Sequence, residues 1–95
     1  MQEAGHDMEE RLRARGFEPT RWTDPPGTIR EQSVHEHDEI LVVLNGSVEI
    51  DLGGLTRIPE VGEEVFIPAL TVHTLRNVGD TDAVWIAGKR GGLRS

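Results

Sequence analysis

Two segments of this chain each place imidazole or carboxylate groups at the end of a strand-like apolar run. The first reads His35-Glu36-His37-Asp38-Glu39 and continues into the apolar stretch Ile40–Leu44. The second passes through Val65-Phe66-Ile67 and ends at His73. Histidine nitrogen and carboxylate oxygen are ligands for divalent metals. The two segments therefore predict one metal site inside a small β-barrel.

Composition narrows the class of protein. A chain of 95 residues is expected to form one domain, residues 1–95. The absence of cysteine excludes disulfides, thiolate metal sites and cysteine nucleophiles, and it is compatible with a reducing cytoplasm. No apolar run approaches the ~20 residues of a membrane span and no signal peptide is visible, so we predict a cytoplasmic protein without a membrane partner. The net charge of −7 disfavours non-specific binding to nucleic acid.

The chain is expected to begin with a short helix over residues 1–16. Met8 and Leu12 stand one helical turn apart, and Gly16 occupies the position of a terminating glycine. Because its apolar stripe is thin, this helix is expected to pack on a partner surface or to fray. We expect a β-barrel over residues 17–88 and a flexible tail over residues 89–95.

Short strands separated by turn residues follow Gly27, which is typical of an all-β sandwich or barrel. Asn45-Gly46 is the sequence signature of a type I′ hairpin. The last strand is expected to span Ala83–Ala87.

The first segment carries a geometric restriction. His35, His37 and Glu39 would share one face of a straight strand. A strand rises about 3.3 Å per residue, so the outer two would lie roughly 13 Å apart. Metal–ligand bonds of about 2.0–2.2 Å cannot bridge that distance. A shared ion therefore requires the chain to turn within this segment.

The spacing of these residues resembles that of the small single-domain cupins, whose two motifs are G-x5-H-x-H-x3-4-E-x6-G and G-x5-P-x-G-x2-H-x3-N. Gly62, Pro68, His73 and Asn77 match the second motif, in which Leu70 replaces a glycine. Anchoring the first motif on Gly46 places Glu39 at the glutamate position, His35 at the second histidine position and Ser33 at the first.

A rival alignment uses His35 and His37 as the two histidines of the first motif. It leaves only Asp38 before Glu39, which is too short for the required turn. The motif spacing favours the first alignment, with His37 as the second choice. The resemblance then implies that His35, Glu39 and His73 hold one divalent ion, and such a set suits Fe, Mn, Ni or Zn.

The resemblance also implies a double-stranded β-helix, the cupin jelly-roll barrel, with the metal in its mouth. It implies a homodimer, for which the outer face of Ile40, Val42 and Leu44 would supply contacts. The expected function is that of a metal-dependent enzyme of dioxygenase, isomerase or decarboxylase type acting on a small polar molecule. The alternative is a non-catalytic ligand-binding or sensing cupin, with an intact or a degenerate metal site.

Alternation along the strands predicts the lining of the barrel. Arg30 and Arg76 have the wrong parity, so no cation is expected to hold an anionic substrate. Trp85 and Phe66 are expected to be core or dimer contacts. The inward residues are expected to be Ile29, Glu31, Ser33, Leu41, Val43, Leu75 and Asn77. Of these only Glu31, Ser33 and Asn77 could orient a substrate, and the binding alternative gains if they face away.

Overall fold

The computed structural model describes the backbone of residues 2–92 and the side chains of residues 7–31 and 34–90. One helix precedes eight strands, as predicted for an all-β chain with a short N-terminal helix. No helix within this described part of the chain is long and apolar enough to cross a membrane. The elements are α1 (Gln2–Ala14), β1 (Glu18–Asp24), β2 (Ile29–Ser33), β3 (His37–Asn45), β4 (Val48–Leu52), β5 (Leu55–Arg57), β6 (Glu64–Ile67), β7 (His73–Asn77) and β8 (Ala83–Gly92).

The strands form two four-stranded antiparallel sheets, in the orders β1-β8-β3-β6 and β2-β7-β4-β5. Alternate residues of both sheets point into a shared core, because successive side chains of a strand face opposite sides. The buried apolar side chains of this core are Leu41, Val43, Val48, Ile50, Val65, Ile67, Leu75, Ala83, Trp85 and Ala87.

A second core lies on the outer face of the first sheet. Met8 and Leu12 of α1, together with Phe17, pack there against buried residues of β3 and β8, which are Ile40, Val42 and Ile86. The expectation that α1 packs on a partner surface or frays was therefore wrong. The same contacts cover most of the face that we assigned to a dimer, so Ile40 and Val42 are not free for that purpose. The homodimer itself stays a prediction.

The turn at Asn45-Gly46 is not the hairpin that its sequence predicts. It connects β3 and β4, which belong to different sheets. A type I′ turn needs positive φ at both central residues, and only Gly46 has it, with φ of 90°. An added Cβ at Gly46 would lie 3.0 Å from the Ala83 Cα and the Asp82 carbonyl oxygen, so this crossing requires glycine.

Two strands depart from the simple pattern. β8 continues to Gly92 rather than ending at Ala87, so residues 89–92 extend the sheet instead of starting the tail, and residues 93–95 of the expected tail lie outside the described part. β2 contains an irregularity between Arg30 and Ser33, which pair with Leu75 and His73 of β7. Between these two pairs β2 has one residue more than β7, and this shifts the alternation of its side chains.

Candidate metal centre

His35, Glu39 and His73 converge at one end of the space between the sheets. Each offers one ligand atom, and these atoms all lie within 4.8 Å of one another. The Nε2 atom of His73 is 3.7 Å from Oε1 of Glu39. The rings of His35 and His73 have centroids 5.4 Å apart. We call these three residues the triad.

The turn that the sequence required lies between β2 and β3. His35 follows the end of β2 in one sheet, and β3 carries Glu39 into the other sheet. His73 is the first residue of β7, which is the neighbour of β2. The backbone N–H of Leu70 donates a 2.7 Å hydrogen bond to the His35 carbonyl oxygen and so ties the two histidine-bearing segments together.

The orientation of the His73 ring is fixed by a hydrogen bond at the ring nitrogen that does not face Glu39. Its Nδ1 lies 2.9 Å from the Thr71 carbonyl oxygen, which accepts a hydrogen bond when Nδ1 carries the proton. This arrangement leaves Nε2 with its lone pair directed toward Glu39. Metal-binding histidines are commonly oriented by such a bond from the second ring nitrogen.

Burial sets the electrostatics of the triad. Glu39 and His73 are each only 5% exposed. Burial lowers the pKa of His35 from its ordinary value, the nearby Glu39 carboxylate opposes this shift, and the Lys89 ammonium adds to it. A lowered pKa favours the neutral imidazole, which is the form that binds metals.

His37 does not join the triad. Its ring stacks on that of His35, with centroids 5.7 Å apart and an interplanar angle of 9°. Its buried Nε2 atom has no hydrogen-bond partner among the residues that the structure describes. The structure thus brings His35 rather than His37 to Glu39 and His73, which is the arrangement that the favoured alignment implies.

The triad fits a metal ion by separation and by chemistry. Two ligands bound at about 2.1 Å can lie at most ~4.2 Å apart. The 3.7 Å between Nε2 of His73 and Oε1 of Glu39 satisfies this limit. All three ligand atoms lie within 4.8 Å of one another, so a small side-chain adjustment would bring the whole set into range. A buried carboxylate facing two imidazoles would be costly to leave without a cation. Two nitrogen ligands and one oxygen ligand suit a divalent transition metal.

A cavity of about 280 Å³ opens beside the triad. Its other walls combine apolar, aromatic and cationic side chains. They are Trp22, Arg30, Leu41, Leu75, Trp85, Ala87 and Lys89.

Two cations in this wall were missed by the sequence analysis. Arg30 was assigned to the outer face, but the irregularity in β2 places it opposite the inward-facing Leu75. Lys89 was assigned to the tail, but β8 extends past it and pairs it with Glu39. For Arg30, the sequence analysis could have used only the general observation that β-bulges, which reverse side-chain direction, are common beside active sites. For Lys89 the alternation Trp85, Ala87, Lys89 was visible in the sequence.

Arg30 belongs to a structural network. It donates to both oxygens of Asp24, at 2.9 and 2.7 Å, and its guanidinium lies over the rings of Trp22 and Trp85 at 4.7 and 5.4 Å. Nε1 of Trp85 donates to the same carboxylate at 3.1 Å. The Arg30 guanidinium holds the pKa of Asp24 below its ordinary value. The network fixes one wall of the cavity.

Several expected lining residues are placed elsewhere. Ile29 is 50% exposed and Glu31 is also exposed, because the β2 irregularity shifts their parity. The buried Asn77 amide donates to the Asp24 and Thr81 carbonyl oxygens, so it closes a loop rather than facing a ligand. Phe66, expected to be a core or dimer contact, is 49% exposed, so it is not part of the core and the dimer contact stays a prediction. The Ser33 side chain lies outside the described part.

The sequence model of the cupin domain matches residues 20–88, and the chain therefore belongs to the cupin family. A search of curated proteins finds no match.

Solved structures confirm the jelly-roll barrel. A Cupin 2 conserved barrel domain protein from Salinispora arenicola superposes with a TM-score of 0.72 at 24% identity, over 80% of this chain and 64% of that one. A predicted oxalate decarboxylase from Thermotoga maritima gives 0.73 at 22% identity, over 88% and 74%. Oxalate oxidase in complex with the substrate analogue glycolate gives 0.74 at 24% identity, over 84% and 44%. This chain thus spans less than two thirds of the first and third of these proteins, and the likeness establishes the fold alone.

Proposed function

We propose that this cupin binds one divalent transition metal ion through His35, Glu39 and His73 and uses it to act on a small polar molecule. The observation that carries the proposal is the convergence of the triad. Three ligand atoms from a loop and two different sheets lie within 4.8 Å of one another beside a cavity. Two of the three side chains are buried, so water solvates their polar groups poorly.

The ligand set favours Fe, Mn, Ni or Zn. When bound, such an ion acts as a Lewis acid and as a template that orients substrate. The chain's own residues supply the surroundings. The Thr71 carbonyl orients His73, and apolar side chains of Leu41, Leu75 and Ala87 keep part of the cavity dry. A reaction of dioxygenase, isomerase or decarboxylase type fits this arrangement, and an oxalate oxidase shares the fold.

A non-catalytic binding or sensing role is the second candidate, and one observation favours it. Of the residues expected to orient a substrate, Glu31 is exposed and the Asn77 amide is engaged in the fold. Apart from the triad, the titratable residues lining the cavity are Arg30 and Lys89. If the triad is occupied by a metal, Lys89 is therefore the remaining candidate for proton transfer. Chemical conversion of a bound molecule, followed by mass spectrometry, separates the two roles.

Elemental analysis by mass spectrometry tests the metal site directly. Protein purified without chelator should contain about one Fe, Mn, Ni or Zn ion per chain. His73→Ala should lose the metal, because it removes the oriented Nε2 ligand. His37→Ala is the matched control and should keep most of it.

Stoichiometric metal in the folded His73→Ala variant would show that the site is not the triad. If metal binding requires His37 but not His35, the favoured alignment of the first motif is wrong. Homodimerisation and a cytoplasmic location are further proposals from the sequence, and light scattering tests the first.

A further inference from the structure

Lys89 is the only lysine of the chain, and it lies in the cavity. It stands on β8 directly opposite Glu39 of β3, and its side chain is half-buried. Within the described residues no carboxylate forms an ion pair with its ammonium group, Glu39 included. A half-buried ammonium that makes no direct ion pair costs free energy that a bound anion would recover, even with the Glu39 carboxylate on the neighbouring strand.

The other cation of the cavity is used differently. Arg30 is bound by both oxygens of Asp24 and lies against two tryptophan rings, so its charge is compensated within the fold. The partly buried Arg76 and the exposed Arg90 do not line the cavity and pair with Glu49 and Asp38. Lys89 differs from these three arginines in having no such partner.

The charge of the cavity contrasts with that of the whole chain. The chain carries a net charge of −7. At the cavity, Glu39 supplies one negative charge against Lys89, and the Asp24–Arg30 pair is neutral. With a divalent cation at the triad the cavity becomes distinctly positive. Such a focused positive potential attracts small anions despite the acidic surface.

The surroundings favour a carboxylate over a phosphate. Phosphate sites usually combine several donors, such as a helix N-terminus, a glycine-rich loop or an arginine fork. The described helix α1 packs on the outer face of the sheet rather than at this cavity. The volume of about 280 Å³ suits a ligand of a few heavy atoms. One lysine supplies a single point charge, which is enough for one carboxylate but gives fewer donors than phosphate sites usually have.

We propose that the cavity takes a small organic acid and that Lys89 is the residue that recognises its carboxylate. This inference rests on the proposed function, since it names the substrate class of the same site. Lys89 touches the ligand and sets specificity for its charge.

Tryptophan fluorescence provides the assay, because the chain has two tryptophans and both line the cavity. Glycolate, its neutral amide glycolamide and inorganic phosphate are titrated into metal-loaded wild type, Lys89→Met and Lys89→Arg. Loss of a charge-assisted hydrogen bond should weaken glycolate binding by about tenfold or more in Lys89→Met. Lys89→Arg should restore most of it. Arg76→Gln, which removes an equal charge from the outer face, should bind as wild type does.

Equal glycolate affinity in wild type and Lys89→Met would overturn the role of Lys89. Glycolamide binding as tightly as glycolate, or phosphate binding more tightly, would overturn the carboxylate. No binding of glycolate, oxalate or succinate to wild type at millimolar concentration would also overturn it. Metal content is measured on every sample. A Lys89→Met variant that keeps its metal but no longer binds glycolate supports the role of Lys89 separately from the metal site. A wild type that binds no metal refutes the proposed function. The wild type and the lysine variants are then compared as metal-free proteins.

Discussion

Leu70 stands where the second cupin motif has glycine, and its backbone has the conformation that glycine favours. Its φ is 65°, and among the described non-glycine residues it alone has a positive φ. A left-handed conformation costs an L-residue about 1–2 kcal/mol. We therefore predict that replacing Leu70 by glycine relieves strain in the loop before His73.

To estimate the free energy of the strained backbone at Leu70, the loss of packing by the leucine side chain must first be removed from the comparison. Leu70 is 59% exposed, so both Leu70→Ala and Leu70→Gly lose the same modest burial. Alanine keeps the strain, whereas glycine removes it and adds about 0.5–1 kcal/mol of backbone entropy cost. The balance makes the glycine variant more stable than the alanine variant by roughly 0.5–1 kcal/mol. For a domain of this size, that difference raises the melting temperature by about 2–8 °C.

Urea and thermal unfolding of the two variants measure this difference. Val61 gives a matched control, because it is also 59% exposed and does not have a positive φ. At Val61 the order should reverse, with alanine more stable than glycine by about 0.5–1 kcal/mol. An alanine variant at Leu70 as stable as the glycine variant would refute the strain argument.

Two further predictions concern the packing of α1 and the cavity wall. Leu12→Ala should lower the free energy of unfolding by about 2–5 kcal/mol in urea titrations, because Leu12 is fully buried between α1 and the sheet; a loss below ~1 kcal/mol would contradict this packing. Asp24→Asn should destabilise by about 1–3 kcal/mol at pH 7, since it breaks a charge-assisted pair with the partly exposed Arg30. Because the folded-state pKa of Asp24 lies below 3.8, this stabilisation is complete above that pH and is lost as acid protonates the carboxyl group. A difference between Asp24→Asn and wild type that persists unchanged in acid would refute it.

The sequence predicted the features that depend on spacing along the chain. One ion cannot be shared along a straight strand, so the sequence required a turn within His35–Glu39, and the structure bends at Glu36, between β2 and β3. The motif spacing selected His35 over His37, and the structure brings His35 to Glu39 and His73. The barrel core followed from alternation in strands such as β4, whose Val48 and Ile50 are buried.

The sequence failed where tertiary structure overrides a local rule. One extra residue in β2 reversed the inward and outward sides, so Arg30 and Glu31 were both misassigned. The glycines after Ala87 indicated a tail, but pairing of β8 with β1 and β3 extends the strand and carries Lys89 into the cavity. Asn45-Gly46 has a hairpin signature, but its neighbouring strands join different sheets. Each error concerns a pairing between distant segments, which single-sequence patterns do not report.

The backbone around the triad is fixed by contacts that need no metal. The loop before His73 is bound to the first motif twice, through the Leu70 N–H to the His35 carbonyl and the Ala69 N–H to Asp38. Arg90 of β8 holds the same Asp38 carboxylate from the other side at 2.8 Å. The strands that carry Glu39 and His73 also take part in the main core, which supplies most of the folding free energy. The fold itself therefore holds the ligand atoms close together, so a metal ion bound there would not have to order the chain. In this respect the proposed site would differ from small metal-dependent domains that fold only when their ion binds.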